Sequence, residues 1–583
     1  MRSGPAVFAL SRRWPVPALA GLALCMQCLI FAPYAAWPLA YVCLVPWLLA
    51  ICTSPRPRIV YVTSYLLGVA FFLINLRWLR FSTPPGYVAL CFWSGLHFLI
   101  ASIGIRYMYR RRHVPLTVLV PVIWTMTELA RSRTALAFPW FLLAHSHYRI
   151  LTMIQISDLV GAFGVSFVIA AVNGWIADLL IDRVLTTRAI RTALSRARTL
   201  YGTAFVVLLV GATIVYGRVR LGQQTIRDGP RVAVLQGDYL LSPEMTTGPS
   251  EESKWQTYAG LLAAASRERP DLYLLPETPW SMNLNKEFRE LDPRTPGVQF
   301  AEKCHEWFCR VARSENAYVV VGSVSTEFYP TRVYPKYERF NSAFVYSPPP
   351  ATTQPAGPAH CPEPRRYDKI HLVLFGEYVP FRYGRLHSLY RKLNAMTPWG
   401  ADGYEYSLTA GRTLTIFTMN APSQNGREYR FAVPICYEDV IPDLIRRFVI
   451  GPDGRKRIDF LLNISNDGWF SHSTELPQHL AACAFRAVEN RVGLARAVNT
   501  GISGFVDPDG TIRDLVEEPG KEPWEGVSGF RVSTVKIDSR EGIYSRYGDW
   551  FADACGLLGL LCLVDTVVAR FRANWRRNRR AET

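Results

Sequence analysis

The sequence predicts a multi-pass α-helical membrane domain joined to an extracytoplasmic α/β domain of layered sheets and helices, with one more membrane helix near the end. Three features predict it. Residues 1–220 are dominated by long apolar runs. Residues 221–550 alternate short strand-like and helix-like runs, and a last apolar run, Ala552 to Val568, precedes a basic tail. The expected domains are 1–220 with about seven transmembrane helices, 221–550, and 551–583. At 583 residues the chain is too long for one ordinary domain.

A spanning helix needs ~20 apolar residues to cross a ~30 Å hydrocarbon core. Candidates are roughly 15–32, 36–53, 59–78, 87–108, 115–131, 158–180 and 200–217, then 552–569. The first, followed by "FAPYAAW", resembles a secretory signal, but the spans that follow at once argue against cleavage. With a cytoplasmic N-terminus, the basic clusters fall inside: Arg12 and Arg13, Arg56 and Arg58, Arg110 to Arg112, Arg183 to Arg198, and the tail. The opposite loops carry only Arg77, Arg80, Arg131, Arg133 and Arg149. The net charge of +18 is therefore largely a topology signal, and no nucleic-acid partner is expected. Seven spans put residues 221–550 outside the cytoplasmic face, and the eighth returns the tail inside.

The aromatic stretch 134–150 would sit at the interface or partly re-enter it. Its His145 and His147 lack a third ligand, so no metal is expected. Glu128 lies three residues before Arg131, which suggests a local ion pair. A transporter would need broken helices and charges at membrane depth, and the spans have few central charges.

In the soluble part, strand-like runs are 231–238, 271–277, 317–325, 341–347, 431–439, 459–467 and 494–501. Helix-like runs are 252–268, 297–315, 440–450 and 475–491. Near-continuous apolar strands alternating with helices imply buried sheets covered by helices. "DPDGT" (507–511) reads as a hairpin turn and the Pro-rich piece 348–364 as an exposed loop. The twelve cysteines form no framework and no zinc spacing. Cys304 and Cys309 read as packing residues on a helix, and Arg486 with Glu489 as an intrahelical pair.

Three strand ends carry side chains that packing alone does not ask for: Glu277, Lys369 and Cys436. Singly, each has a plainer reading, as a surface acid, a solvated cation and a core thiol. Together they can form one site. A thiol is mostly protonated at neutral pH, with a pKa near ~8.5. A neighbouring carboxylate can take its proton and an ammonium favours the thiolate. The ammonium, with the backbone N–H of Tyr437, can also stabilise the oxyanion formed when a thiolate attacks a carbonyl.

"LLPET", "DKIHLVLFGEYVPF" and "VPICYED" resemble the three motif regions of the nitrilase (carbon-nitrogen hydrolase) superfamily. With eight spans around them, the chain resembles its integral membrane branch, the apolipoprotein N-acyltransferases. "FPWFLLAHS", "LLNISNDGWF", "PQHLAACAFRAVENR" and "NTGISGFVDPDG" carry the resemblance further. It implies an αββα sandwich for the nitrilase-like domain. It also implies a Glu–Lys–Cys triad of Glu277 as general base, Lys369 as oxyanion-stabilising cation and Cys436 as nucleophile. Glu377 matches a second glutamate near the thiol, and Tyr437 and Glu438 match the pair after the cysteine. Asn466 and the loop Gly468 to Phe470, with Trp469, resemble the loop beside the site. Glu377 and Glu438 have a structural alternative, holding Lys369 in place.

The implied reaction is ping-pong acyl transfer through a cysteine thioester. A phospholipid would donate the acyl chain, and the N-terminal cysteine α-amine of a diacylglyceryl apolipoprotein would accept it. The bilayer is the third partner, no cofactor is implied, and the implied location is a bacterial inner membrane. A membrane-anchored amidase using water as acceptor is the alternative. Two departures stand out. The loop after "QGD" lacks the family's Trp, with Trp255 only in the next helix, and "LLAHSHY" differs from the family's usual ending there.

Overall fold

The structure is a computed structural model describing residues 15–134, 137–182, 193–240, 249–331, 337–349, 362–397 and 407–582. Arg12 and Arg13, most of the basic loop from Arg183, the middle of the loop after Asp238 and most of the Pro-rich piece lie outside the described residues. The chain divides into two compact units, one of residues 1–77, 85–223 and 547–583, the other of 78–84 and 224–546.

The first unit is helical. Its helices are α1 (Val16–Leu29), α2 (Val45–Thr53), α3 (Pro57–Asn75), α4 (Pro84–Tyr107), α5 (Leu116–Arg133), α6 (Ser157–Leu180) and α7 (Ala193–Gly222), with a C-terminal helix Trp550–Glu582. Proline opens or nearly opens several of them, where its missing N–H falls in the unbonded first turn. Among the described residues, five helices are long and apolar enough to cross a membrane: 57–75, 84–112, 157–180, 197–222 and 550–569. The other expected spans differ. At 14 residues α1 rises only about 21 Å. The second span is a 3₁₀ turn, Trp37–Tyr41, followed by the short α2, and α5 carries Glu128, Arg131 and Arg133. Helices α3 and α4 touch through glycine: a Cβ on Gly68 would lie 3.0 Å from the Gly95 Cα. The Glu128–Arg131 pair expected from sequence is replaced by other partners. Glu128 Oε1 accepts from Trp124 Nε1 and Leu143 N, both at 2.8 Å, while Arg131 donates to the carbonyls of Phe138, Trp140 and Phe141. A buried carboxylate this close to a free backbone N–H takes it first.

The second unit holds two six-stranded mixed sheets. The first has the order β12-β1-β2-β3-β4-β5, with β1 Ile226–Gln236, β2 Leu272–Leu274, β3 Tyr318–Phe328, β4 Tyr337–Tyr346, β5 Arg365–Asp368 and β12 Gly529–Asp538. The second has the order β11-β10-β9-β8-β7-β6, with β6 Phe417–Ala421, β7 Arg427–Ala432, β8 Phe460–Ser465, β9 Gly493–Val498, β10 Gly504–Val506 and β11 Ile512–Arg513. In each sheet three strands run parallel (β1-β2-β3 and β7-β8-β9) and the outer pairs are antiparallel. Strand β9 lies against β1 and β12, so the sheets stack face to face. Helices α8 (Glu251–Ala265) and α9 (Val298–Ser314) pack on the first sheet and α11 (Glu475–Asn490) on the second, following α10 (Pro442–Val449). This is the expected αββα layering. Strands β2, β8 and β9 are buried along their whole length, which is why they read as continuous apolar runs. The expected turn at 507–511 closes β10 on β11, with Asp507 N donating to the Thr511 carbonyl at 2.9 Å and Gly510 at φ +89°.

Candidate active site

The expected strand 271–277 ends early, and the shortening delivers Glu277. Leu275 N still donates to the Val320 carbonyl at 2.8 Å, then Thr278 turns the chain at φ +45°. Gly322 of β3 makes room: a Cβ there would lie 2.6 Å from Glu277 Cα and 2.8 Å from Thr278 N. Lys369 follows β5 and is pinned by its own backbone, with N donating to the Asn341 carbonyl (2.8 Å) and O accepting from Gly411 N (2.7 Å). Cys436 follows β7 and opens a 3₁₀ turn, Cys436–Val440. Its φ of +53° is rare for a residue with a Cβ and lifts the side chain out of the strand line. All three leave the carboxyl ends of strands, where ligands bind in layered α/β folds.

The three side chains converge. Lys369 Nζ lies 2.7 Å from Glu377 Oε1 and 3.5 Å from Glu277 Oε1. Asn341 Nδ2 donates to Glu277 Oε1 at 2.5 Å and Glu377 Oε1 at 2.9 Å, and Val373 N to Glu377 Oε2 at 2.8 Å. The half-buried Cys436 thiol lies in the field of both Glu277 and Lys369. Burial, and next the Glu277 charge, push the thiol well up, against the pull of Lys369. Burial opposes the Lys369 cation too, but Glu377, Glu277 and Cys436 outweigh it and keep the ammonium. Glu277 is raised by burial and then by Glu377, with Lys369, Asn341 and Cys436 pulling back. At rest the proton sits on sulfur beside a carboxylate of raised basicity and a fixed cation. That arrangement can ionise a thiol as it attacks and neutralise the oxyanion that results.

Glu438 does not touch the Lys369 ammonium. It ties the cysteine turn to the chain after Lys369: Oε2 accepts from Ile435 N (2.8 Å), Oε1 from Ile370 N (2.8 Å), His371 N (3.0 Å) and Tyr367 Oη (2.8 Å). Burial pushes it up to about 6 against those bonds. Tyr437 stacks on the His371 ring, centroids 6.0 Å apart. Asn466 Oδ1 accepts from Gly468 N (3.3 Å) and Asn499 Nδ2 (3.1 Å), shaping the turn that holds Trp469. Next to it Phe470 packs edge-on against Trp78, whose Nε1 donates to Gln478 Oε1 at 3.1 Å.

Several participants escaped the sequence. Asn341, which bridges both glutamates, lies inside an ordinary strand pattern. Asp439, Asp467, Glu475, His479 and Arg496 form a buried ionic cluster behind Cys436. Asp467, Glu475 and His479 bring ligand atoms within 4.8 Å of one another, but Arg496 and Asp439 already engage them. Arg486 and Glu489 pair at 2.8 Å as expected. His145 and His147 are buried in a 3₁₀ turn, His147 edge-on to Trp37 and Tyr41. One reading is corrected: Cys304 is a buried free thiol, but Cys309 is disulfide-bonded. Spacing cannot show which distant thiol a helix will meet.

Comparisons with known proteins follow the same division. Residues 23–175 match the apolipoprotein N-acyltransferase N-terminal domain, and residues 231–540 match carbon-nitrogen hydrolase. Apolipoprotein N-acyltransferase of Geobacter metallireducens is 31% identical over 534 residues, 89% of each chain. That of Chlorobaculum tepidum is 27% identical over 96% of this chain and 98% of its own. That of Haemophilus influenzae is 26% identical over 83% of each.

Proposed function

The chain belongs to the apolipoprotein N-acyltransferase family and is an acyltransferase, and from that premise we propose that Cys436 carries the acyl group as a thioester between two lipid substrates. In the first half-reaction Glu277 takes the thiol proton as sulfur attacks the ester carbonyl of a phospholipid. The oxyanion is held by the Lys369 ammonium and the Tyr437 N–H. Collapse breaks the ester C–O bond, and the lysophospholipid alkoxide leaves with the proton from Glu277. In the second half-reaction the α-amine of a diacylglyceryl apolipoprotein attacks the thioester, gives its proton to Glu277 and forms the amide. The leaving thiolate is reprotonated. The observation that carries this reading is the Lys369 ammonium held within 3.5 Å of Glu277 and 2.7 Å of Glu377, with the Cys436 thiol under the charges of both Glu277 and Lys369.

Residues 1–220 and 551–583 would hold the site at an inner membrane, with 221–550 on its outer side. Acyl chains gain ~0.8 kcal/mol per CH₂ by staying in lipid, so an enzyme held there avoids extracting them. One observation supports the outward side: the Cys309 disulfide suits an oxidising compartment. Phe381, Tyr383, Leu386, Leu389 and Met396, exposed after Glu377, offer apolar surface to a chain.

The test is a covalent adduct. Full-length protein incubated with phospholipid should gain one acyl group on Cys436 by peptide mass spectrometry, and transfer it to a diacylglyceryl lipopeptide. Undiminished acylation in Cys436→Ala would sink the proposal. Free fatty acid without acylated peptide would make the protein a hydrolase.

A further inference from the structure

Behind the Cys436 turn, six ionisable side chains are each at most 2% exposed: Asp439, Asp467, Glu475, His479, Cys483 and Arg496. Asp439 belongs to the turn that Cys436 opens, and Asp467 to the 3₁₀ turn Asp467–Phe470 that holds Trp469. Arg496, reaching from β9, spans the two. Its Nη1 donates to Asp439 Oδ2 at 2.6 Å and its Nη2 to Asp467 Oδ2 at 2.9 Å. His479 of α11 spans them again, with Nε2 2.8 Å from Asp439 Oδ1 and Nδ1 3.2 Å from Asp467 Oδ2. Nη1 of Arg496 also donates to Asn463 Oδ1 at 3.0 Å, and Asn463 Nδ2 reaches the Pro434 and Cys436 carbonyls at 3.3 Å each.

Buried ion pairs are a poor way to gain stability, because desolvation offsets most of the attraction and well-packed apolar side chains do as well. What they supply is geometry. A guanidinium has nitrogens in a rigid fork, so two carboxylates bound to it are held at a fixed separation. Here those carboxylates belong to the two turns that border the thiol.

We infer that Arg496 is a positioning residue for acyl transfer: with His479 behind it, it locks the Cys436 turn to the Trp469 turn, so the thiol and its neighbouring N–H groups keep one geometry through both half-reactions. The inference rests on Cys436 being the nucleophile. Arg496 acts through Asp439, Asp467 and Asn463 rather than by a bond to the Cys436 sulfur.

The experiment is a double-substitution cycle in the full-length protein, with D439N, D467N and the pair, plus R496K. Two rates are read at one pH: acyl transfer to a diacylglyceryl lipopeptide, and alkylation of Cys436 by iodoacetamide followed by peptide mass spectrometry. If the two aspartates are ends of one clamp, each single change lowers kcat about tenfold with KM unchanged, and the pair loses little more than either alone. R496K keeps the charge but not the fork, and it should lose kcat to the same extent at a thermal midpoint close to the parent's. Additive losses, or R496K within about twofold of the parent, would overturn the clamp. If R496K does not fold, the aspartate cycle decides. Non-additive alkylation rates in a protein whose Cys436→Ala variant still acylates would indict the parent reading and leave the clamp standing.

Discussion

At the scale of single residues, Glu438 shows how a carboxylate beside a nucleophile can serve the backbone instead of the chemistry. Four donors from two distant segments end on it. Glu438→Gln would turn an NH₂ toward at least one of them. We expect roughly 2–4 kcal/mol of lost stability, from unsatisfied buried donors, and a thermal midpoint several degrees lower. Asp467 gives the pH counterpart. Burial would raise it from 3.8, but His479 and Arg496 outweigh burial and hold it at about 2. A depressed carboxylate adds stability that is complete above its unfolded value and is lost as pH falls through its folded one. The parent should therefore lose about 2 kcal/mol between pH 4 and pH 2 that Asp467→Asn does not lose, read from thermal midpoints in detergent. Glu277, Lys369 and Cys436 were legible because each interrupts an apolar run at its end. Asn341 and Arg496 were not. A polar residue inside a strand looks alike whether it faces solvent or a partner from elsewhere in the chain.

At the scale of elements, the strand that ends before Glu277 depends on its neighbour. Gly322→Ala would press a methyl against the Glu277 Cα, which is backbone and cannot swing aside. We expect acyl transfer to fall by at least about tenfold while the sheets stay intact, seen as an unchanged far-ultraviolet circular dichroism spectrum. The central strands and the helices between them were legible from their apolar runs. The three-residue β10 was too short to show, and strands β5, β6, β11 and β12 were not legible either. They sit at or near sheet edges, half exposed, and carry Arg, Thr and Lys that read as loop. In the membrane part, hydropathy found each of α1 to α7 but not the break within the second expected span, because Ala40 to Leu44 stays apolar while leaving the α-helical path.

At the scale of the whole molecule, two measurements bear on which face of the bilayer holds the second unit. Peptide mapping without reductant should find Cys309 in a linked pair; a free thiol there would remove one support for the outward side. Reporter fusions after residues 222 and 583 should report opposite sides. The basic clusters from which this topology is expected sit in short loops, where charge counts most. Trp78, meanwhile, belongs to the second unit although the chain delivers it between α3 and α4. The chain thus passes between the units at 77/78, 84/85, 223/224 and 546/547. Cutting only at the last two would release a fragment missing one of its own aromatic plugs, with Phe470 and Gln478 laid bare. Anyone wishing to excise the nitrilase-like half for crystallisation would have to graft the seven residues 78–84 back onto it, or supply them as a peptide.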